Sequence, residues 1–261
     1  SVVAKILEGW FEKREHYREL KKKAGKAEEW EKYKLYDLYQ HAFKILQNAM
    51  YGTFALASWR YTDGHKICSA SITNSGQRLV KESIIFVNDL IKFETKEKNG
   101  DYIIISDTDS LYICLAKLLK ARYGPLNKEE KIKKILEIAE EIQIKSNENL
   151  TNICINLFNV PKNKFFQLKQ EVIAQSVIVT GKRRYAMFLI NKEGVNIPPD
   201  SKDALDLKGL EVMKSNMNKM FRKFGEEIIK NILFGKPKNN IDNSIIDFYR
   251  ALKNVDPKLL G

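Results

Sequence analysis

The chain has 261 residues, of which 44% are hydrophobic and 30% are charged, which is enough apolar material for one large domain or two small ones. Its 45 lysines and arginines outnumber 33 aspartates and glutamates, so the net charge is +12 at pH 7. This excess favours polyanionic partners, nucleic acid ahead of a membrane surface, although codon usage in an AT-rich genome would also raise the lysine content. No apolar run approaches the roughly 20 residues of a membrane-spanning helix.

The three cysteines, Cys68, Cys114 and Cys154, are far apart and lack the CxxC spacing of zinc sites and redox pairs. We interpret them as buried, reduced thiols in a reducing compartment. The chain begins with Ser1 and has no signal peptide, which suggests a piece of a longer protein.

Residues 4–50 are predicted to form a basic antiparallel helical hairpin that turns at residues 23–26, where a glycine interrupts a basic run. Large apolar side chains recur at helical spacing in both halves; they include Trp10, Phe11, Tyr17, Tyr33, Tyr36, Tyr39 and Phe43. A third helix is predicted over residues 70–92.

One face of the second predicted helix carries Lys44, Asn48 and Tyr51 and ends at Gly52, which we interpret as a helix stop. A cation, an amide and an aromatic ring could contact phosphate, sugar and base. A half-buried stripe with a glycine cap explains the same spacing. Arg14 and Arg18, one turn apart on the first helix, are by themselves typical of a solvated face.

An acidic turn lies between two apolar runs, residues 102–105 and 111–115. A strand, a tight turn and a second strand would bring the carboxylates of Asp107 and Asp109 onto one divalent cation. Hard oxygen ligands suit Mg²⁺. The alternative is ordinary turn chemistry, because Asp and Ser are common in turns.

The remaining chain alternates helical and strand patterns. Asn127 and Glu130 predict a capping box that opens a helix, and residues 165–179 are rich in β-forming side chains. A break at Thr180-Gly181 leads into a basic segment and another apolar run, and the pattern is helical again after Gly209. The sum is a central α+β unit with helical units at both ends.

Three segments, residues 44–52 (KILQNAMYG), 106–110 (SDTDS) and 181–185 (GKRRY), resemble in order and spacing three motifs of the family B DNA polymerases. These motifs are the fingers helix KxxxNSxYG, the palm motif YGDTDS and the KKRY element. Flanking segments resemble the T4-like phage polymerases; they are residues 11–18, 59–61, 168–174 and 208–211. Departures are Ile105-Ser106 in place of Tyr-Gly and Ala49 in place of Ser.

The resemblance implies an α+β fold: an antiparallel-sheet palm, an N-terminal helical-hairpin fingers domain and the start of a helical thumb. The expected boundaries are residues 1–57 for the fingers, 58–212 for the palm and 213–261 for the truncated thumb.

The resemblance also implies a reaction in which the primer 3′-OH attacks the α-phosphate of a dNTP between two Mg²⁺ ions. Its metal ligands would be Asp107, Asp109 and, as a further candidate, Glu171. The triphosphate would be held by Arg14, Arg18, Lys44 and Asn48, with Lys44 also donating a proton to pyrophosphate. Tyr51 and Gly52 would face the minor groove of the nascent pair. The candidate DNA contacts are Lys182, Arg183, Arg184, Tyr185, Lys208 and Lys214.

The family's other metal-binding aspartate belongs to a motif, DxxSLYPS, that does not occur in these residues. We therefore expect an N-terminal portion, as a separate chain or as the rest of a longer protein, to carry this motif and the exonuclease. The other expected partners are primer-template DNA, dNTP and a sliding clamp, with no membrane, in the cytoplasm of a bacterial host if the source is a phage. The rival functions are a non-catalytic DNA-binding palm and fingers module and, with too few grouped acids, a two-metal nuclease.

Overall fold

The computed structural model describes residues 2–56, 65–107, 109–160 and 166–255. The chain forms two compact units, residues 1–78 and 79–261. Helices are combined with two antiparallel sheets, so the predicted α+β class is confirmed. The boundaries of fingers, palm and thumb stay predictions, and the one expected after residue 57 lies outside the described residues, as does the segment 59–61.

The first unit contains the predicted helical hairpin, with α1 at Val2–Lys26 and α2 at Trp30–Thr53. The Tyr17 ring packs against those of Tyr39, at 4.9 Å between centroids, and Phe43, at 6.0 Å. Lys21 Nζ donates to Asp37 Oδ1 at 2.7 Å, which joins the two helices further along. Contacts that run in opposite directions along the two helices confirm an antiparallel pair.

The turn of this hairpin lies three residues later than the sequence predicts. Helix α1 continues through Gly25, and the chain reverses at residues 27–29, where Glu28 has a φ of 56°. A Cβ at Gly25 would come within 3.3 Å of the Tyr33 ring. This glycine therefore allows the helices to approach closely, and the turn itself does not use it.

Three further helices form one side of the second unit's core: α3 at His65–Thr95, α4 at Ala116–Tyr123 and α5 at Lys128–Phe158. The predicted capping box is present, because Asn127 Oδ1 accepts from the Glu130 amide and Glu130 Oε2 accepts from the Asn127 amide. The core between the helices is made by Val87, Ile91, Tyr102, Leu118, Leu119, Ile138 and Ile142.

A two-stranded hairpin lies between this helical core and a larger sheet. Strands β1 (Ile103–Asp107) and β2 (Ser110–Ile113) are antiparallel, which confirms strand, turn, strand. The pairing register shifts between Ile103 and Ile105. Ile103 accordingly packs against the helical core and Ile105 packs against the larger sheet.

The larger sheet contains β3 (Val172–Gly181), β4 (Arg184–Lys192), β5 (Val195–Asn196) and β6 (Leu205–Lys208). Strand β4 is central and pairs antiparallel with the other three. Successive side chains of a strand point to opposite faces. Ala186 and Phe188 face one core, whereas Tyr185, Met187 and Leu189 face the β1–β2 hairpin. Because both faces of β4 are covered, its residues 185–190 form an unbroken apolar run.

Two C-terminal helices follow, α6 at Lys219–Leu233 and α7 at Lys238–Leu252. Leu233 packs in the core with Phe188, and the rings of Phe224 and Phe248 join the two helices at 3.8 Å. Among the described residues, no helix is both long and apolar enough to cross a membrane. Cys154 is buried, but Cys68 and Cys114 are half-buried, so the expectation of three buried thiols is wrong for these two.

Candidate functional site

The predicted acidic turn forms the tip of the β1–β2 hairpin. Asp107 is the last residue of β1 and pairs with Ser110, and Asp109 lies exposed between the two strands. The Asp109 amide donates to the Asp107 carbonyl at 2.5 Å, and Ser110 Oγ donates to the same oxygen at 3.1 Å. This turn holds both carboxylates at one end of the hairpin.

A second hairpin turn, between β3 and β4, brings a guanidinium to Asp107. Arg183 Nε donates to Asp107 Oδ2 at 2.8 Å, and Arg183 Nη2 donates to Asp107 Oδ1 at 3.0 Å. This hydrogen-bonded contact and the charge of Asp107 raise the pKa of Arg183. Two parallel bonds to one carboxylate fix direction as well as distance.

The backbone beneath Arg183 is shaped by a glycine. Arg183 has a φ of 59° and Gly209 a φ of +64°, and a Cβ at Gly209 would lie 2.2 Å from the Arg183 carbonyl oxygen. No side chain fits in that gap. Gly209 therefore lets the turn that carries Arg183 rest against the end of β6.

Two tyrosines join the hairpins below these turns. The Tyr112 and Tyr185 hydroxyls are 2.8 Å apart, and their ring centroids are 5.5 Å apart. Burial, followed by the Tyr185 hydrogen bond, raises the pKa of Tyr112. Tyr185 is only 4% exposed, and its hydroxyl links β4 to β2. It also lines the cavity between the two turns, and its contact with DNA stays a prediction.

The two hairpin turns and β6 line one cavity of about 450 Å³. Its polar and charged lining consists of Ser106, Asp107, Ser110, Tyr112, Lys182, Arg183, Tyr185 and Lys208. Lys208 Nζ also lies 5.6 Å from the centre of the Tyr185 ring. Three cations and one carboxylate line the cavity, and this excess of positive charge makes the cavity suited to phosphate groups.

The other two predicted DNA contacts share an acidic partner that the sequence did not single out. Glu211 forms an ion pair with Lys214, and Arg184 Nη1 lies 3.8 Å from Glu211 Oε1. The Lys214 hydrogen bond is the main cause of the lowered pKa of Glu211. The spacing of Glu211 and Lys214, three residues apart, was the available signal for this pair.

Glu171 lies away from the acidic turn. It is exposed and immediately precedes β3, whereas Gly181, at the other end of that strand, lines the cavity. Ten strand residues at about 3.3 Å each separate these ends by ~30 Å. Within the described ranges, no three His, Cys, Asp or Glu side chains are grouped as a metal site. The assignment of Glu171 as a ligand stays a prediction.

Asp107 and Asp109 still provide the donor chemistry that Mg²⁺ uses. This ion usually takes one or two protein carboxylates together with phosphate oxygens and water. Two carboxylates on one tight turn, beside a cationic cavity, match that requirement, with Arg183 as a competing cation at Asp107.

The candidate triphosphate-binding arginines lie half-buried on α1. Arg14 Nη1 approaches Gln47 Oε1 of α2 at 3.5 Å, and Arg18 Nη1 donates to Glu15 Oε1 at 3.0 Å. Gln47 lies between Lys44 and Asn48 along α2, so Arg14 reaches the same stretch of helix. Sequence patterns did not indicate Gln47 or Glu15.

On α2 the side chains of Lys44, Asn48 and Tyr51 are exposed, so they do not form the half-buried stripe that was the alternative. The predicted helix stop at Gly52 is wrong, because α2 continues to Thr53 and Phe54 caps it in a right-handed helical conformation. A Cβ at Gly52 would meet no described atom within 4 Å. The described packing therefore does not account for a glycine here.

Comparison with known protein families gives a match along nearly the whole chain. The family described as DNA polymerase family B matches residues 1–260. This match includes all three segments that carry the sequence resemblance.

Individual relatives are distant. A DNA polymerase of Paramecium bursaria Chlorella virus NY2A is 28% identical over 77% of this chain and 18% of its own length. A DNA polymerase of Pyrococcus glycovorans is 25% identical over 92% of the chain and 24% of its own length. The DNA-directed DNA polymerase of Enterobacteria phage T4 is 22% identical over 84% of the chain and 25% of its own length. The chain thus spans at most about a quarter of these relatives.

Proposed function

This chain belongs to DNA polymerase family B, and on that premise we propose that it takes part in DNA-templated nucleotidyl transfer from a dNTP to a primer 3′-OH. One observation carries the proposal: Asp107 and Asp109 share a hairpin tip beside a turn that carries Lys182 and Arg183. Carboxylates for metal ions and cations for phosphate are the groups that phosphoryl transfer requires.

Asp107 and Asp109 would hold Mg²⁺ through their carboxylate oxygens. Bound Mg²⁺ would supply Lewis-acid stabilisation of the charge that develops on the phosphoryl oxygens. The tight turn contributes by keeping both carboxylates at one end of the hairpin, and Ser110 Oγ helps to fix the turn by donating to the Asp107 carbonyl. A pre-ordered turn reduces the reorganisation needed when substrate arrives.

The cationic lining of the cavity would bind the backbone of the primer strand. Lys182, Arg183 and Lys208 all line it, and lysine and arginine contacts to phosphate position a duplex without reading its sequence. Arg184 and Lys214, which share Glu211, would extend this contact along the backbone. Such binding weakens steeply as salt rises.

The exposed face of α2 would bind the incoming nucleotide, with Arg14 and Arg18 of α1. Lys44 and the two arginines would balance the charge that builds on pyrophosphate, and Lys44 Nζ would donate the proton that the leaving group needs. Asn48 would donate its amide hydrogens to phosphate oxygens. Tyr51 and the bare backbone of Gly52 would test the shape of the nascent pair in its minor groove.

We further propose that a carboxylate outside these 261 residues completes the metal site, on a segment that carries DxxSLYPS and accompanies an exonuclease. The absence of a third grouped carboxylate within the described ranges supports this. A sliding clamp and a bacterial host cytoplasm belong to the same proposal as partner and place.

The test is primer extension on a primed template with Mg²⁺, by the chain alone and after mixing with a segment that carries DxxSLYPS. Asp109→Asn removes a proposed ligand. Asp242→Asn, an exposed aspartate on α7, makes the same change in charge far along the sequence and serves as the matched control.

We expect negligible extension by the chain alone and restored extension by the mixture. Asp109→Asn should lower the restored rate by at least about a thousandfold, because it removes a metal ligand, and Asp242→Asn should leave it unchanged. Strong extension without the second segment would contradict the need for an outside carboxylate. DNA binding without extension under any condition would favour the non-catalytic module.

A further inference from the structure

The ion pair between Arg183 and Asp107 places a protein cation on a proposed metal ligand. Both oxygens of Asp107 accept from the same guanidinium, at 2.8 and 3.0 Å. A carboxylate oxygen that accepts from a guanidinium has less electron density to offer a metal ion, and the two cations repel each other. Arg183 and a divalent cation therefore compete for Asp107.

The contact is built into the backbone around it. Arg183 adopts a left-handed conformation, with a φ of 59°, that is uncommon for residues other than glycine. Its carbonyl oxygen occupies the space that a Cβ at residue 209 would fill. The left-handed backbone of Arg183 and the close approach of Gly209 thus hold the guanidinium at the tip of the β1–β2 hairpin.

The Arg183 side chain is also open to solvent, with 64% of its surface exposed. A ligand can reach it without any movement of the core. A phosphodiester group matches the planar fork of a guanidinium as well as a carboxylate does. Lys182 and Lys208 line the same cavity and would draw phosphate towards it.

We propose that Arg183 is a positioning residue that gates the metal site. Without nucleic acid its guanidinium holds the Asp107 carboxylate; a phosphodiester of the primer strand binds Arg183 instead and frees Asp107 for a divalent cation. This inference rests on the proposed function. DNA binding would therefore strengthen metal binding at Asp107, and metal binding would strengthen DNA binding by the same factor, because both ligands favour the state in which the ion pair is broken.

Exposed ion pairs are weak, so the gate is expected to be shallow. The pairing lowers the apparent metal affinity of Asp107 by at most about fivefold. One or two phosphate contacts to Arg183 are enough to offset an ion pair this weak, so the exchange between the two states is reversible.

The test measures Mn²⁺ at Asp107 itself, in the full 261-residue chain labelled with ¹³C at aspartate carboxyl groups. Paramagnetic broadening of the Asp107 resonance, assigned by its loss in Asp107→Asn, gives the apparent affinity even when DNA binds Mn²⁺ elsewhere. The variant is Arg183→Asn, because asparagine tolerates a positive φ. Lys182→Asn, in the same turn, removes the same charge and is the matched control.

We expect Arg183→Asn to bind Mn²⁺ at Asp107 about threefold to fivefold more tightly than Lys182→Asn does. Phosphodiester primer-template should tighten binding in the unmodified chain and add nothing in Arg183→Asn, whereas methylphosphonate DNA of the same sequence should have no effect. Equal Mn²⁺ affinities in the two variants would overturn the gate. So would an effect of methylphosphonate DNA as large as that of phosphodiester DNA. Primer extension by the mixture with the segment that carries DxxSLYPS tests the function separately. Extension by the mixture together with equal Mn²⁺ affinities of the two variants rejects the gate alone, and a working gate without extension by the mixture rejects the function alone.

Discussion

The hydroxyl groups of Tyr112 and Tyr185 lie 2.8 Å apart and connect the hairpin that carries Asp107 to the strand that follows Arg183. Their side chains belong to one core with Ile105 and Met187. This hydrogen bond therefore helps to fix the turn that carries Asp107 relative to the turn that carries Arg183.

Removal of one hydroxyl should destabilise the second unit. In Tyr112→Phe the buried Tyr185 hydroxyl loses its partner, so we expect the free energy of unfolding to fall by about 1–3 kcal/mol. The double variant with Tyr185→Phe should lose less than the sum of the single variants, because no hydroxyl is then stranded. Tyr249→Phe, at a tyrosine that is 63% exposed, should change little.

Urea unfolding followed by far-UV circular dichroism measures this effect. Circular dichroism is chosen because Trp10, Trp30 and Trp59 all fall within residues 1–78 of the sequence, so residues 79–261 contain no tryptophan. Additive losses in the double variant would show that the two hydroxyls are not coupled.

Gly209→Ala should disturb the turn that carries Arg183. The change places an ordinary side chain at a φ of +64° and a Cβ 2.2 Å from the Arg183 carbonyl oxygen, so strain and a clash act together. We expect a loss of at least ~2 kcal/mol. Gly194→Ala is the matched control, because Gly194 has a φ of +83° but nothing within 4 Å, and strain alone should cost about 1 kcal/mol. Equal losses in urea unfolding would contradict the close approach.

An ion cluster links three helices and should make stability depend on acid pH. Arg122 binds Glu94 and Glu141, and Lys145 Nζ donates to Glu141 at 2.6 Å. The Arg122 hydrogen bond is the main cause that lowers the pKa of Glu141 to about 2. A carboxylate whose pKa is lower in the folded state stabilises the fold at any pH above its unfolded-state pKa. That contribution is lost as the pH falls to the folded-state pKa.

Stability should therefore fall between pH 4.5 and about pH 2 as Glu141 becomes protonated. Glu141→Gln should be less stable than the unmodified chain at pH 7, by about 1 kcal/mol after solvent screening, and the difference should vanish towards pH 2. Glu137→Gln, which breaks an exposed pair with Lys134 on the same helix, is the control and should show little change. A difference that stays constant across the window would contradict this role for Glu141.

The buried thiol of Cys154 should react slowly in the native state. Its residue is 0% exposed, and burial raises the pKa of its thiol, so both access and thiolate content are low. We expect an aromatic disulfide reagent to modify Cys114, which is half-buried, at least about tenfold faster. Two variants, one with Cys154 and one with Cys114 as the single remaining cysteine of the three, measure each rate, and both should react alike in denaturant. Similar native rates would contradict the buried position.

Local patterns in the sequence determined much of this protein. The antiparallel helical hairpin, the capping box at Asn127 and Glu130, and the strand-turn-strand unit around Asp107 and Asp109 all depend on residues close in the chain. Helical spacing, capping and tight turns act over a few residues, so they can be predicted without a fold. The family follows from the same local segments.

Tertiary structure alone decided which distant residues meet. Arg183 and Asp107 are 76 residues apart, Tyr112 and Tyr185 are 73 apart, and Gly209 touches the Arg183 backbone. No periodicity encodes such pairs, because they depend on strand register and on which face of β4 covers the hairpin. The same packing buries most of Tyr185 and pairs its hydroxyl with that of Tyr112, a contact that the motif alone did not indicate. The sequence determined the chemical groups, and the fold decided their partners.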